Sequence, residues 1–342
     1  MRRVVVDEAG AVRLEEAPAA PPAAGQLAIR ASCSLISPGT ELHYIEEARR
    51  AGVRRPLGYC AAGVVEEVGD GVPGFARGDR VIAMGWEHAI HAERVCVPYR
   101  LCARVANGVA AERAVFAGLA ATALHAVHRA GLRGGERILV AGVGLVGQLV
   151  AQCARGLADE LYVSDLVPSR LAAARAAGAA VLDPRRPLVD ELRAATAGRG
   201  VDVVFVCVRG EATALLRACA ASIAARPDGQ RRGAIVAVGR FTASVDFSVE
   251  LGNLDLRYSA RCGAGYRDDD FVHGRAERAA PPGEQTVTEN LAECLQRITE
   301  GGIDIAPIHS HRLPFAEAPR AYALFSSPEH ALGVTLHHDE RR

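Results

Sequence analysis

The sequence predicts an α/β protein of two domains, one mostly β and barrel-like, the other a parallel sheet with helices on both faces. Three observations carry this expectation. The first hundred residues hold short β-branched runs set between Gly and Pro turns. From Glu112 the pattern lengthens into strands that alternate with helices. Inside that stretch an apolar strand runs through a glycine-rich loop straight into an apolar helix.

Element by element, Met1-Arg2-Arg3-Val4-Val5-Val6-Asp7 reads as a first strand, too short and too soon charged for a signal peptide. Further strands are read at 26–30, 63–69, 79–83 and 93–97, with turns at Gly69-Asp70-Gly71 and Gly78-Asp79. Residues 112–129 read as an alanine-rich helix that ends in the turn Gly131-Leu132-Arg133-Gly134-Gly135. Strands at 137–141, 161–164, 201–208 and 234–238 then alternate with helices at 145–156, 168–177 and 211–225. Residues 266–288, rich in charge, Pro and Gly, read as an exposed loop. A helix at 288–300 and a strand at 332–336 close the chain.

Composition excludes several classes of function. A chain of 342 residues has room for two domains with separate cores. Zero formal net charge gives no electrostatic hold on nucleic acid or an anionic membrane. No uncharged apolar run approaches the ~18 residues of a membrane span, so the chain is expected to be soluble and cytoplasmic. Nine cysteines without a Cys-x-x-Cys pair read as reduced, buried thiols and leave no four-cysteine zinc site. Lysine is absent altogether. That excludes Schiff-base chemistry, a P-loop lysine, and the Tyr-Lys pair of short-chain dehydrogenases and aldo-keto reductases.

The loop itself runs Ala141-Gly142-Val143-Gly144-Leu145-Val146-Gly147, after the strand residues Arg137-Ile138-Leu139-Val140. The first glycine permits a tight turn, the second lets backbone approach a pyrophosphate, and the third lets helix pack on strand. The phosphates of a dinucleotide then meet unpaired N–H groups at the start of the helix, beside Leu145 and Val146. Asp165 ends the next strand, Leu161-Tyr162-Val163-Ser164, and is placed to accept hydrogen bonds from the adenosine ribose hydroxyls. Its charge would repel a 2′-phosphate, which favours NAD over NADP.

Several further motifs occur in a fixed order. They are Pro56-Leu57-Gly58-Tyr59-Cys60-Ala61-Ala62-Gly63-Val64-Val65-Glu66-Glu67-Val68-Gly69, then Gly78-Asp79-Arg80-Val81, the loop at 142–147, and Ser310-His311-Arg312-Leu313-Pro314-Phe315. With these the chain resembles the medium-chain dehydrogenase/reductase superfamily over nearly its full length. The resemblance implies a GroES-like catalytic domain at 1–112 and 264–342 and an inserted Rossmann domain at 113–263. It also implies a homodimer. Zinc-dependent members carry a Cys-Gly-Thr-Asp-x-His-like segment, which here reads Pro38-Gly39-Thr40-Glu41-Leu42-His43. Their Gly-His-Glu becomes Gly58-Tyr59-Cys60, and their third ligand becomes Gly118, four residues before Thr122. None of the three ligands is retained, so no metal is expected; Cys33 and Cys60 read as small buried residues. The run Ser37-Pro38-Gly39-Thr40-Glu41, with 58–63 and Gly265-Tyr266-Arg267-Asp268-Asp269-Asp270, resembles a zinc-lacking bacterial branch. That branch includes bacteriochlorophyllide-type dehydrogenases and the dehydrogenase halves of two-domain oxidoreductases.

Hydride transfer without a metal leaves the charge on the substrate oxygen to hydrogen-bond donors or a proton relay. By resemblance, Thr40 and His43 match the positions that relay a proton through the nicotinamide ribose. Spaced i, i+3 on a short turn, they can share one face, though Thr40 also reads as a helix cap and His43 as a surface histidine. Tyr59, in place of a ligand histidine, is either a phenol donor to a ketone oxygen or a plug for the vacant metal pocket. His88, after Trp86 and Glu87 and before His91, is a candidate acid/base or an ordinary loop histidine. The resemblance sets Thr122 beside the nicotinamide and Arg170 near the adenosine, and extends the nucleotide site to Cys207, Val238 and Gly239. The expected function is NAD-dependent interconversion of a polar secondary alcohol and its ketone, on a sugar, cyclitol or other biosynthetic intermediate. Two alternatives stay open: an NAD(P)H-dependent reductase of C=C bonds of the enoyl or quinone type, and a non-catalytic dinucleotide-binding protein.

Overall fold

The computed structural model describes residues 1–327, 329 and 331–338. The chain divides into two compact units, Met1–Ala121 with Cys262–Arg342, and Thr122–Arg261. The first break falls within helix Ala117–Ala130 and the second at 261/262, not at 112/113 and 263/264. Packing explains the first shift. Phe116 sits edge-on to His309 at 5.2 Å, and Gly118 lies against Cys60, so the opening turn of this helix belongs to the first unit.

The first unit is built on a seven-stranded, mostly antiparallel sheet. Its order is His309–Pro314, Gly333–His337, Gln26–Leu35, Cys60–Val68, Arg80–Met84, Cys102–Arg104, with Arg94–Pro98 pairing Gln26–Leu35 as well. Gln26–Leu35 serves three partners because its register against Cys60–Val68 shifts twice, between Ala28 and Ile29 and between Ala31 and Cys33. Such irregularities bend a strand and let a sheet curl. Gly63 faces the second of them, where an added Cβ would lie 2.0 Å from the Arg30 carbonyl oxygen. A smaller sheet of Val12–Glu16, Arg2–Val6 and Arg55–Pro56 shares a core with Ile36, Leu57, Phe315, Tyr322 and Leu336.

The segment read as a short turn at Thr40 is a helix of 14 residues, Pro38–Ala51. Pro-Gly at its start looks like a turn, yet proline at the first helical position costs nothing, since its missing N–H has no intrahelical acceptor there. Arg49 and Arg50 suit the negative end of the helix, and Gly52, at φ 62°, closes it in the left-handed conformation. The stretch 112–129 proves to be two helices, Ala111–Ala114 and Ala117–Ala130. The loop 266–288 contains one short helix, Asp269–Val272, capped by Asp268.

The second unit holds a six-stranded parallel sheet. Its order is Ala180–Val181, Ala158–Ser164, Glu136–Ala141, Val203–Val206, Arg232–Ala237, Asn253–Tyr258. Helices Leu145–Ala154, Pro168–Ala176, Leu188–Ala195 and Thr213–Ser222 connect these strands. The last strand is a largely exposed edge; its alternating Asn-Leu-Asp-Leu-Arg-Tyr is a strand pattern, although no strand was expected there.

Two imidazoles in the first unit make its stability depend on pH. Burial pushes His309 down to about 4 and His338, whose ring nitrogens have no hydrogen-bond partner, down to about 3. The unfolded chain therefore binds protons from about pH 6.5 downward while the folded chain does not, so stability is intact above that value and falls with acidification. Thermal midpoints should drop between pH 7 and 4.5, and His338→Phe, which keeps the 4.1 Å stack on Phe315, should flatten that dependence. Equal acid sensitivity in the variant would contradict this.

Candidate functional site

In the second unit the glycine loop leaves Glu136–Ala141 at the carboxyl end of the sheet, where open parallel sheets bind their ligands. Gly142 has φ 89°, a conformation that favours glycine. A Cβ at Gly147 would lie 2.0 Å from the Gly142 carbonyl oxygen, so helix Leu145–Ala154 can approach the strand only with glycine there. Gly144, in contrast, is open on its Cβ side apart from an Arg170 nitrogen at 3.9 Å. The N–H groups of Leu145 and Val146, in the first turn of a 10-residue helix, have no intrahelical acceptor. Arg170 Nε is buried without a hydrogen-bond partner, beside the same loop. An anion-ready helix start, an open glycine and an orphaned guanidinium nitrogen fit a dinucleotide.

Asp165 is 9% exposed and braces this loop. Its Oδ2 accepts the Val143 N–H at 2.8 Å and its Oδ1 the Val167 N–H at 2.9 Å, with an Arg170 nitrogen 3.6 Å away. Cys207 backs the loop: its Cβ lies 3.3 Å from where a Gly147 Cβ would be, and burial pushes its thiol up to about 12. Val238 and Gly239 follow strand Arg232–Ala237, and both N–H groups donate to the Val206 carbonyl. Gly142 to Gly147, Asp165, Arg170, Cys207, Val238 and Gly239 thus gather at one end of one sheet. Thr122 stands half-buried in helix Ala117–Ala130.

In the first unit Thr40 and His43 lie one turn apart on helix Pro38–Ala51, both half-buried. Tyr59 comes to the start of this helix: its hydroxyl donates to Ser37 Oγ at 2.6 Å and also faces the Thr40 hydroxyl. Burial raises its phenol well above the usual tyrosine range, against the pull of those two hydroxyls, so it stays protonated at neutral pH. Thr40 is not a cap. The N-cap is Ser37, and its side chain makes no capping bond. The Thr40 N–H meets the Ser37 carbonyl at 3.1 Å instead, and Glu41 Oε1 accepts the Ser37 N–H at 2.7 Å. Fully buried, Glu41 also accepts from His91 Nε2 at 3.0 Å and from the Tyr322 hydroxyl, while His91 Nδ1 meets Ser34 Oγ at 2.7 Å. A buried carboxylate with three donors is compensated for its lost water.

His88 stands apart from this group, in a cavity of about 100 Å³ that it lines with Trp86, Tyr266 and Arg267. Burial lowers its imidazole below the usual histidine range. Trp86 joins the two regions, stacking on Tyr44 at 4.1 Å and tilting toward Tyr59 at 6.2 Å. At the third metal-ligand position a Cβ on Gly118 would lie 2.6 Å from Cys60 Sγ. Among the described residues no cluster of three His, Cys, Asp or Glu side chains could hold a metal ion. The sequence assigned no role to Ser37, Glu41, Tyr44, Tyr266 or Tyr322. Of these only Glu41 carried a signal, as an acid one turn into a helix whose start looked like a turn.

Comparison with known proteins accords with this construction. Residues 23–130 match the model for the alcohol dehydrogenase GroES-like domain, and residues 142–262 match that for zinc-binding dehydrogenases. The chain belongs to the medium-chain dehydrogenase/reductase superfamily. It is 28% identical over 319 residues to a putative D-xylulose reductase of Rhizobium meliloti, covering 83% of each chain. It is 32% identical over 275 residues to the spectinabilin polyketide synthase system protein NorB of Streptomyces orinoci, covering 79% of this chain but 11% of that protein. Among solved structures, alcohol dehydrogenase TADH of Thermus sp. ATN1 superposes with a TM-score of 0.78 at 24% identity, over 99% of this chain and 100% of that one. An Escherichia coli CFT073 dehydrogenase complexed with NADH gives 0.76 at 18%, over 98% and 99%. Mycobacterial Rv1454c complexed with NADPH gives 0.77 at 22%, over 98% and 100%. The chain carries a GroES-like domain and a Rossmann-type domain of the alcohol dehydrogenase kind, and it spans half or less of the first relatives it matches. No helix among the described residues is long and apolar enough to cross a membrane.

Proposed function

We propose that this chain is a zinc-independent, NAD(H)-dependent oxidoreductase that interconverts a polar secondary alcohol and its ketone. One observation carries the reading: a protonated phenol, Tyr59, stands at a metal-ligand position with its hydroxyl between Ser37 and Thr40. NAD, held by Gly142 to Gly147, Asp165, Arg170, Cys207, Val238 and Gly239, with Thr122 by its nicotinamide, would supply or take the hydride. The chain's own residues handle the proton. In reduction the Tyr59 hydroxyl turns its one proton from Ser37 to the ketone oxygen and is reprotonated from His43 through Thr40. In oxidation it takes the alcohol proton and passes its own through Thr40 to the half-buried His43. Phenol donor and threonine–histidine relay, alternatives in the sequence, thereby become parts of one path.

The residues at the three ligand positions do not fit zinc. Pro38 has no ligand atom, the Tyr59 hydroxyl is engaged with Ser37, and position 118 has no room for a side chain. Elemental analysis of purified protein should find no stoichiometric zinc, and turnover should survive chelation. About one zinc per chain, with activity lost on its removal, would overturn this. Gly118→Cys should lower the thermal midpoint and create no site.

Arg170 beside the loop, a cation able to meet a 2′-phosphate, favours a second reading as an NAD(P)H-dependent reductase of C=C bonds. Product analysis separates the two, since only one changes a C–O bond order. A homodimer is also proposed, through edge strand Asn253–Tyr258, where Leu256 and Tyr258 are exposed. Sedimentation at monomer mass would refute it.

A further inference from the structure

We infer that Ser37 is a positioning residue for the Tyr59 phenol, its backbone held in place for that task by Glu41. Serine at a helix N-cap ordinarily turns its oxygen onto the N–H groups of its own first turn, and losing that bond costs stability. Here Ser37 breaks the rule. Its Oγ accepts from Tyr59 at 2.6 Å and makes no capping bond, while its N–H donates to Glu41 Oε1. Ser37 is 3% exposed and Glu41 fully buried, so neither group has water as a substitute partner. A buried N-cap serine that gives its oxygen to a phenol instead of to its own helix marks a functional demand more than a folding one.

The surrounding bonds hold the arrangement from several sides. Glu41 is fixed by His91 and Tyr322, and His91 by Ser34, so the carboxylate cannot swing away from the Ser37 N–H without stranding buried donors. With its backbone pinned, Ser37 presents one oxygen to the phenol. Tyr59 is thus aimed by a hydrogen bond at a position where a metal ion would otherwise fix the geometry. The functional consequence rests on the proposed alcohol–ketone chemistry; the bond itself does not.

A double-substitution cycle tests the inference on the whole protein without nucleotide or substrate. Trp86, the only tryptophan in the chain, lies 6.2 Å ring to ring from Tyr59 and reports on it by fluorescence. Ser37→Ala should shift Trp86 emission and lower the thermal midpoint when residue 59 is Tyr. In a Tyr59→Phe background the same substitution should change neither, because the bond is already gone. Were Ser37 an ordinary cap, Ser37→Ala would lower the midpoint by roughly 2 °C in both backgrounds and leave the emission untouched. Equal effects in the two backgrounds therefore overturn the inference. Because no turnover is measured, failure of this cycle is distinct from failure to find alcohol or ketone chemistry.

Discussion

Thr40→Val and His43→Ala should each lower turnover by about a hundred- to ten-thousandfold while NAD affinity stays near its original value. That range is what a positioned proton donor or acceptor contributes. The expectation follows from where the side chains stand: Thr40 faces the Tyr59 phenol, and His43 lies one turn further along the same helix. Cutting either link stops the proton without touching the nucleotide. Tyr59→Phe should cost as much, since it removes the group that meets the substrate oxygen. His43→Ala should also erase the histidine-range limb of the pH–rate profile. His88→Asn should leave that limb in place, because His88 lines a different cavity. Normal turnover in both Thr40→Val and His43→Ala, with a substrate in hand, would end the relay.

The second large effect is expected at Asp165. Asp165→Ala should weaken NAD binding about ten- to a hundredfold and narrow the preference for NAD over NADP, as charge-assisted hydrogen bonds contribute roughly 1.5–3 kcal/mol. The geometry adds a consequence that ribose recognition alone would not have. The carboxylate accepts from Val143 and Val167, so its loss strands two backbone donors at the glycine loop and should lower the thermal midpoint of the nucleotide-free protein. Asp165→Asn separates the contributions, since the amide oxygen still accepts one N–H while the charge is gone. Calorimetry showing tighter binding of NADP than NAD to the unaltered protein would refute the reading of this residue.

The two halves of the candidate site differ in how far the sequence discloses them. The nucleotide half is local: strand, glycines and helix follow one another within residues 136–154, and each glycine has its own steric reason. Asp165 could be placed because it ends the strand that follows the glycine-loop helix, where a dinucleotide-binding unit carries its acid. The group around Tyr59 is not local. Glu41 meets His91 across 50 residues and Tyr322 across 281, and no periodicity encodes such pairs. Helix Pro38–Ala51 was hidden by its Pro-Gly start, whereas the edge strand Asn253–Tyr258 was legible in its alternation and went unread. The loop at 266–288 concealed Tyr266, whose hydroxyl accepts the Trp86 N–H and ties the loop to the cavity wall.

The contact between Gly118 and Cys60 bears on how readily the site could be converted to a metal centre. Any side chain at position 118 must displace the Cys60 sulfur, so a ligand introduced there competes with Cys60 for the same space. Changes at 38, 59, 60 and 118 would have to arrive together, and the steps toward them would weaken the packing before any ion could bind. On the proposed reading, a phenol-based site is therefore far easier to refine in this chain than a metal centre is to install.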